Sequence, residues 1–287
     1  MLMNMKDILA VANANYFAVP AFNTSSSMIL TGIIEASEEK QSPVIIAIHP
    51  DELSFVHTSF VKYVIDEANK ATVPVCIHLD HGASFEQVMT AIQCGFTSVM
   101  IDASTNTFNE NIAICKKVVE AAHAVNVSVE GELGTIGTTG PEAEAGTDVI
   151  IYVDPDSVVT FIEATGVDAL AIAIGTSHGI YPKDKKPELR LDLLKEIKSK
   201  VTTPLVLHGG SANTDSEIAE SVRLGINKIN ISSDIKDAFY KKCREVLKDP
   251  VIREPNSIYP PCIAAMKECA YQKIALFNAE GKAELYK

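Results

Sequence analysis

The sequence predicts an α/β protein, a (β/α)8 TIM barrel with an extra N-terminal helix and an extra C-terminal helix, in one domain over residues 1–287. Three observations carry that expectation. Short aliphatic runs alternate eight times with amphipathic segments, as in a parallel sheet built from βα units. Polar residues gather where those runs end, at Asn23, His49, Asp80, His81, Asp102, Glu132, His178, His208 and Asn230. The C-terminal ends of the strands are where such barrels carry their chemistry. Finally, 287 residues, 47% of them hydrophobic and 22% charged, suffice for one large core, and no Ser-, Gly- or Pro-rich linker offers a place to divide it.

The elements follow in order. A leading helix is expected over 5–15, then a first strand over 17–22 ending at Asn23. Ile29, Ile33, Ile34 and Ala36 fall at helical spacing within 25–40. The second strand, 43–48, is almost wholly aliphatic and ends at His49, and a helix is expected over 51–70. The third strand begins after Pro74 and runs Val75-Cys76-Ile77-His78-Leu79-Asp80-His81-Gly82. A helix over 85–94 is stopped by Gly95, and strand four, 98–101, ends at Asp102. A helix over 109–124 leads to strand five, 127–133. The helix 155–165 closes at Gly166, and strand six, 168–174, precedes His178. A helix over 191–200, strand seven at 204–207, a helix over 215–224, strand eight at 226–231 and helices over 234–247 and 262–277 complete the chain. No G-x-G-x-x-G follows the first strand, which argues against an open dinucleotide-binding sheet.

Two long segments interrupt this rhythm. Residues 134–153 are small, polar and Gly-rich, and 176–190 hold Lys183, Lys185, Lys186 and Arg190. Both follow strands of the polar face, where long loops serve as lids or binding loops.

Composition narrows the function. With 25 basic and 37 acidic residues the formal charge is −12, which disfavours nucleic acid and anionic membrane as partners. A phosphorylated substrate must then be captured by local amides or cations rather than by the overall field. The six cysteines are scattered without a C-x-x-C pair, as structural thiols of a reducing compartment are. No apolar run approaches the roughly 20 residues of a membrane helix, and residues 1–6 lack the apolar core of a signal peptide. A cytoplasmic enzyme is the expectation.

A single histidine at a strand end is usually structural. Three of them, His81, His178 and His208, at the ends of strands three, six and seven, suggest three imidazoles around one open coordination position, which suits catalytic zinc. Asp80 would point a carboxylate at whatever the metal holds. Glu130 and Glu132, two apart on strand five, share a face and could orient a ligating imidazole, although Glu130 could equally pair with Lys228 inside the barrel. His78 reads as a core histidine, and His57 and His123 as surface residues of helices. Two phosphate cradles stand out. His208-Gly209-Gly210-Ser211 offers unhindered amides and a hydroxyl, and Asn230-Ile231-Ser232-Ser233-Asp234 runs from strand eight into a helix N-terminus, where free N–H groups favour an anion. Ser232-Ser233 alone could be no more than an N-cap.

Taken together, Leu79-Asp80-His81, Met100-Ile101-Asp102, the run Val129 to Gly134, the run Ala173 to Gly179, Leu207-His208-Gly209-Gly210-Ser211 and Lys228-Ile229-Asn230 resemble the motif series of the class II, zinc-dependent ketose-bisphosphate aldolases, which include fructose- and tagatose-bisphosphate enzymes. The resemblance covers nearly the whole chain. It implies Zn2+ as cofactor, with a monovalent cation, Na+ or K+, also allowed, and a homodimer or homotetramer. It implies that His81, His178 and His208 ligate zinc, and that Asp80 is the acid that protonates the aldehyde oxygen on cleavage. Gly179, Gly209, Gly210, Ser211, Asn230 and Ser233 would hold the dihydroxyacetone phosphate half, with Asn23, His49 and Ser232 also lining the substrate and Asp102, Glu130 and Glu132 supporting the ligands. Relatives carry a basic carboxylate on the loop after strand five; here Glu142 is the choice and Glu144 the runner-up.

Three departures bear on the substrate. Fructose enzymes carry Asp where this chain has Ser232, and tagatose enzymes a small residue; His49 stands where relatives have Ser or Thr. Relatives precede the last helix with Asp-Pro-Arg, whose Arg clamps a second phosphate from a neighbouring subunit, whereas this chain reads Glu254-Pro255-Asn256. The expected reaction is reversible aldol cleavage of a ketose 1-phosphate or 1,6-bisphosphate through a metal-stabilised enediolate, with an unphosphorylated aldehyde half favoured. A metal-dependent sugar-phosphate isomerase or epimerase and a non-catalytic sugar-phosphate sensor are the alternatives.

Overall fold

The computed structural model describes residues 1–138, 150–178, 188–211 and 213–287. Eight parallel strands close into a barrel: β1 (Val19–Asn23), β2 (Val44–Ile48), β3 (Val75–Gly82), β4 (Ser98–Ile101), β5 (Ser128–Leu133), β7 (Ala169–Ile172), β9 (Leu205–Leu207) and β10 (Ile226–Ile231). Their order around the barrel is β1-β10-β9-β7-β5-β4-β3-β2, and β1 closes it by pairing with β2 on one side and with the last strand, β10, on the other. Two-residue strands β6 (Gly137–Thr138) and β8 (Ser177–His178) pair separately. Helices α2 (Ser27–Glu39), α3 (Pro50–Lys70), α4 (Phe85–Cys94), α5 (Phe108–His123), α6 (Pro155–Thr165), α7 (Leu191–Lys200), α8 (Asp215–Arg223) and α9 (Ser233–Val246) alternate with the barrel strands. Every residue of the barrel strands is buried, which is why they read as continuous aliphatic runs.

Helix α1 (Met5–Ala14) lays buried Met5, Ile8, Leu9 and Ala12 across the N-terminal end of the barrel. It is pinned there by Lys6 N donating to Ser128 Oγ at 2.9 Å and by Tyr286 Oη donating to Ile8 O at 2.7 Å. Phe17, Phe22, Phe161 and Phe277 are among the fully buried side chains, and each such burial contributes roughly 1.5–3 kcal/mol. All six cysteines are free. No helix among the described residues is long and apolar enough to cross a membrane.

Three elements differ from the sequence expectation. Helix α3 is broken at His57, whose φ of 61° lies in the left-handed region, so His57 marks a kink and not a regular helical face. Helix α10 (Pro255–Leu276) starts well before residue 262 and contains Pro260 and Pro261. Those prolines withhold N–H groups from the carbonyls of Asn256 and Ser257, which are exposed and can bond to water instead. Third, the barrel strand before His178 stops at Ile172, and His178 sits beyond it, on β8 against β6.

Candidate metal centre and active site

Asp80 and His81 are neighbours on β3, and regular strand geometry would point them to opposite faces. His81 has φ 49°, and the β3–β4 register shifts between Leu79 and Gly82. This bulge re-aims the imidazole so that both side chains serve the barrel mouth. Gly82 permits it, since a Cβ there would lie 2.6 Å from Met100 O.

Asp80 is clamped. Asn23 Nδ2 donates to its Oδ2 at 2.8 Å and Asn230 Nδ2 to its Oδ1 at 2.9 Å. Burial pushes the carboxyl up, but His81, His208 and Lys228 outweigh it and hold Asp80 well below the usual carboxylate range. A carboxylate that accepts at both oxygens is kept ionised.

The three imidazoles predicted as ligands do converge. Ring centroids of His81 lie 4.7 Å from His208 and 4.9 Å from His178, and His178 lies 5.8 Å from His208. Their facing ligand atoms all fall within 4.8 Å of one another. His81 Nδ1 bonds Asp102 Oδ2 at 3.0 Å, and His208 Nε2 bonds Glu130 Oε1 at 2.8 Å. Those carboxylates engage one nitrogen of each ring, leaving His81 Nε2 and His208 Nδ1 as the nitrogens that face each other at 2.9 Å, a hydrogen bond whose proton a bound cation would replace. His178 Nε2 is buried with no hydrogen-bond partner among the described residues. Three converging nitrogens, one of them orphaned, fit a divalent cation that accepts nitrogen donors.

Without a cation, the electrostatics put a single proton among the three rings. Burial disfavours a charged His81, yet Asp80, Asp102 and Glu132 overcome it and raise the ring to about 10. Burial and then the positive His81 push His178 well below its ordinary value. Burial likewise lowers His208 against the pull of Glu130. The site favours one positive charge among three rings.

Glu130 makes both of the contacts the sequence left open. While Oε1 accepts from His208, Oε2 accepts from Lys228 Nζ at 2.7 Å, and all three side chains are fully buried. Burial raises its carboxyl, but Lys228 and His208 bring it down to about 2. His78 completes this layer as a core histidine, its Nδ1 2.8 Å from Ser98 Oγ and its Nε2 3.4 Å from Lys228 Nζ. The layer joins β3, β5 and β10 across the barrel interior. Glu132 has Oε2 3.6 Å from His208 Nδ1. Burial and the neighbouring Asp102 raise its carboxyl well above the usual range. With His81 and Asp102 it forms a second group of donor atoms within 4.8 Å of one another. Sequence reasoning treated Asp102 and Glu132 only as supports for imidazoles.

A pocket beside the imidazoles is lined by Asp80, His178, Gly209, Ser211, Asn230, Ser232 and Ser233. Gly209 has φ 68° and a Cβ there would lie 2.5 Å from Ser177 O, so the approach of this loop to β8 demands glycine. Gly210 is buried beside it. Ser232 precedes α9 without a side-chain cap bond, so it is not a conventional N-cap. His49 sits with its ring centroid 6.3 Å from that of His81. It also caps α3: Nδ1 accepts from Asp51 N at 3.2 Å while Glu52 Oε2 accepts from His49 N at 3.0 Å. That box was missed because His is not an ordinary capping residue. His123 is partly exposed and bonds Asp168 Oδ2 at 2.7 Å. Gly179, Glu142, Glu144, Lys183, Lys185 and Lys186 lie outside the described residues.

Residues 3–282 match the family "Fructose-bisphosphate aldolase class-II". The chain belongs to the class II fructose-bisphosphate aldolase family. A fructose-bisphosphate aldolase of Geobacillus stearothermophilus is 40% identical over 288 residues, covering 98% of this chain and 99% of that protein. One from Staphylococcus aureus strain Mu50 is 39% identical over 289 residues, covering 99% of both. Among solved structures, the YdjI aldolase of Escherichia coli K12 superposes with a TM-score of 0.86 at 34% identity, covering 99% of this chain and 100% of that one. A putative fructose-1,6-bisphosphate aldolase of Coccidioides immitis gives 0.89 at 26% identity, with 98% of each chain covered. This class II aldolase is therefore an enzyme, a carbon–carbon lyase of carbohydrate metabolism, in a barrel with a His-rich candidate metal site.

Proposed function

We propose that this class II aldolase carries out the zinc-dependent, reversible cleavage of a ketose 1-phosphate or 1,6-bisphosphate into dihydroxyacetone phosphate and an aldehyde. The observation that carries the reading is the convergence of three imidazole nitrogens beside an amide-clamped Asp80. His81, His178 and His208 would hold the metal. When bound, zinc supplies Lewis-acid stabilisation of the enediolate charge left on the ketone half.

The chain's own residues do the rest. The N-terminus of α9 at Ser233, with Gly209, Gly210 and Ser211, holds the phosphate in the pocket below His178, where helix N–H groups favour an anion. Gly179 belongs to the same cradle by its place in the sequence. Asp80, ionised at rest, takes the proton of the C4 hydroxyl as the C3–C4 bond breaks. It gives that proton back to the aldehyde oxygen in the condensation direction, so its acid role belongs to synthesis and its base role to cleavage. Glu142, with Glu144 as the alternative, exchanges the proton at C3 of the dihydroxyacetone half.

The test is turnover of ketose 1-phosphates and 1,6-bisphosphates by the zinc-loaded protein, with released aldehyde trapped by a hydrazine. Stoichiometric aldehyde and dihydroxyacetone phosphate are expected. Isomerised or epimerised ketose without trapped aldehyde would replace the aldolase reading with an isomerase one.

A further inference from the structure

A second cleft lies outside the barrel, between α3 and α4. It encloses about 430 Å³, within the roughly 300–1,000 Å³ of small-molecule sites. Pro50, Leu53 and Leu79 give it an apolar floor, and Ser54, His57, Thr58 and Glu86 stand on its rim.

The rim is built on a strained residue. His57 breaks α3 with φ 61° and ψ 168°, a region of backbone space populated almost only by glycine. Strain of this kind gathers at ligand clamps and switch regions. Where glycine would be relaxed, this chain places an exposed imidazole that bonds to no other described residue.

The floor touches the metal-ligand strand from behind. Leu79 directly precedes Asp80 and His81 on β3, and a Cβ at Gly82 would lie 2.9 Å from Leu79 Cδ2. A ligand resting on Leu79 therefore bears on the irregular backbone at His81 and Gly82.

Charge selects the ligand. Glu86 is the only carboxylate lining the cleft, and no lysine or arginine lines it. Its own backbone N–H and the Ser84 hydroxyl hold the Glu86 carboxyl below its ordinary value, so it is ionised. Lys117, the one cation that acts on it, stays over the Phe85 ring, 3.9 Å from the centroid. An anionic ligand would meet Glu86 with no counter-charge in the cleft; an ammonium group would complement it.

We propose that the α3–α4 cleft binds a small apolar amine, with its body on Pro50, Leu53 and Leu79, its ammonium on Glu86 and its edge against His57, and that occupancy is felt at Gly82. The test is an amide NMR titration of the zinc-loaded protein with three probes that share a ring and differ in head group: benzylamine, benzyl alcohol and benzoate. Benzylamine should shift the amides of Ser54, His57, Thr58 and Gln87 together with that of Gly82. It should bind at least tenfold more tightly than benzoate, with benzyl alcohol between them. Glu86→Gln should bring benzylamine within twofold of benzyl alcohol, and Thr58→Trp, filling the cleft from an exposed position, should abolish the shifts. His57→Gly should raise the urea midpoint and weaken benzylamine at least threefold, since relieving the strain also removes the clamp. Benzoate bound in the cleft as tightly as benzylamine, or shifts confined to the histidine centre, would overturn the proposal. So would a wild type that binds no probe but self-associates until Thr58→Trp or Phe55→Ser dissociates it. That result would give the cleft to a second copy, docked through Phe55, which is 77% exposed. Binding is read without catalysis, so none of these outcomes depends on the aldolase reading.

Discussion

Replacing Lys228 by Met removes one half of a fully buried ion pair while keeping much of the side chain's volume. Glu130 Oε2 then loses its 2.7 Å donor, and the groups left beside Glu130 are the His208 ring at 2.8 Å and the His78 ring at 3.6 Å. Removing one partner of a buried pair typically costs about 3–5 kcal/mol, because the other charge stays out of water. Part of that cost is avoidable by protonating Glu130. A protonated Glu130 no longer fixes the N–H on His208 Nε2, so the lone pair on Nδ1 is lost for part of the time, and losing such support weakens metal binding by about 10–100-fold. Urea unfolding of the metal-free protein should register the stability loss, and competition with a chromophoric chelator the zinc affinity. Adding Glu130→Gln should restore about 2 kcal/mol or more relative to the single variant, since a neutral amide still accepts from His208 without burying a charge. A Lys228→Met protein that loses less than about 1 kcal/mol and binds zinc within twofold of wild type would refute the reasoning.

Other expectations follow from single residues. Asp80→Asn should retain zinc and lower kcat by ~10²–10⁴, the usual scale for a positioned acid–base group; unchanged kcat would remove Asp80 from the chemistry. Glu142→Gln should depress exchange of the C3 proton of dihydroxyacetone phosphate with solvent, read by NMR, more than Glu144→Gln does, and the reverse order would reassign the base. Lys198 is lowered to about 8 by burial, below an ordinary 10.5. The folded chain therefore binds fewer protons than the unfolded one between those values, and the penalty is full below pH 8 and fades as pH rises to 10.5. Lys198→Met should accordingly be about 1–2 kcal/mol more stable at pH 7, allowing for partial exposure, with the gain shrinking above pH 8; a gain independent of pH would contradict this.

The barrel was legible because each strand is buried on both faces and so reads as an aliphatic run. Six elements, 75–82, 85–94, 98–101, 155–165, 191–200 and 226–231, have the bounds the sequence suggests, helped at 85–94 and 155–165 by an N-cap and a terminal glycine. Boundaries failed where the signal was not local. Ala173 and Ile174 continue the hydrophobic run of β7 although the ladder ends at Ile172, so His178 looked like a strand end. The break at His57 leaves the amphipathic pattern of α3 intact, and prolines hid the first turns of α10. Within the site, residue types and strand ends brought the imidazoles together on paper, but two neighbouring side chains facing one cleft required the positive φ of His81, which no residue type announces. Lys228 was visible as a lysine in an apolar strand, yet its joint use of Glu130 with His208 depends on β5 facing the ends of β9 and β10 across the barrel interior. The ion pair of Lys236 with Glu52 gave no sign at all, because 184 residues separate its partners.

The central claim is that His81, His178 and His208 gather a metal on which cleavage depends. The direct measurement is to strip the wild-type protein exhaustively with chelator, titrate zinc back, and follow bound metal and aldol cleavage in the same samples, with His208→Ala alongside. Activity should vanish on stripping and return in proportion to zinc at the histidine site, while His208→Ala should fail to bind the metal tightly and fail to recover. Full cleavage by the stripped protein, together with a borohydride-trapped adduct between a lysine and the ketose, would contradict the account and assign the chemistry to a Schiff base instead.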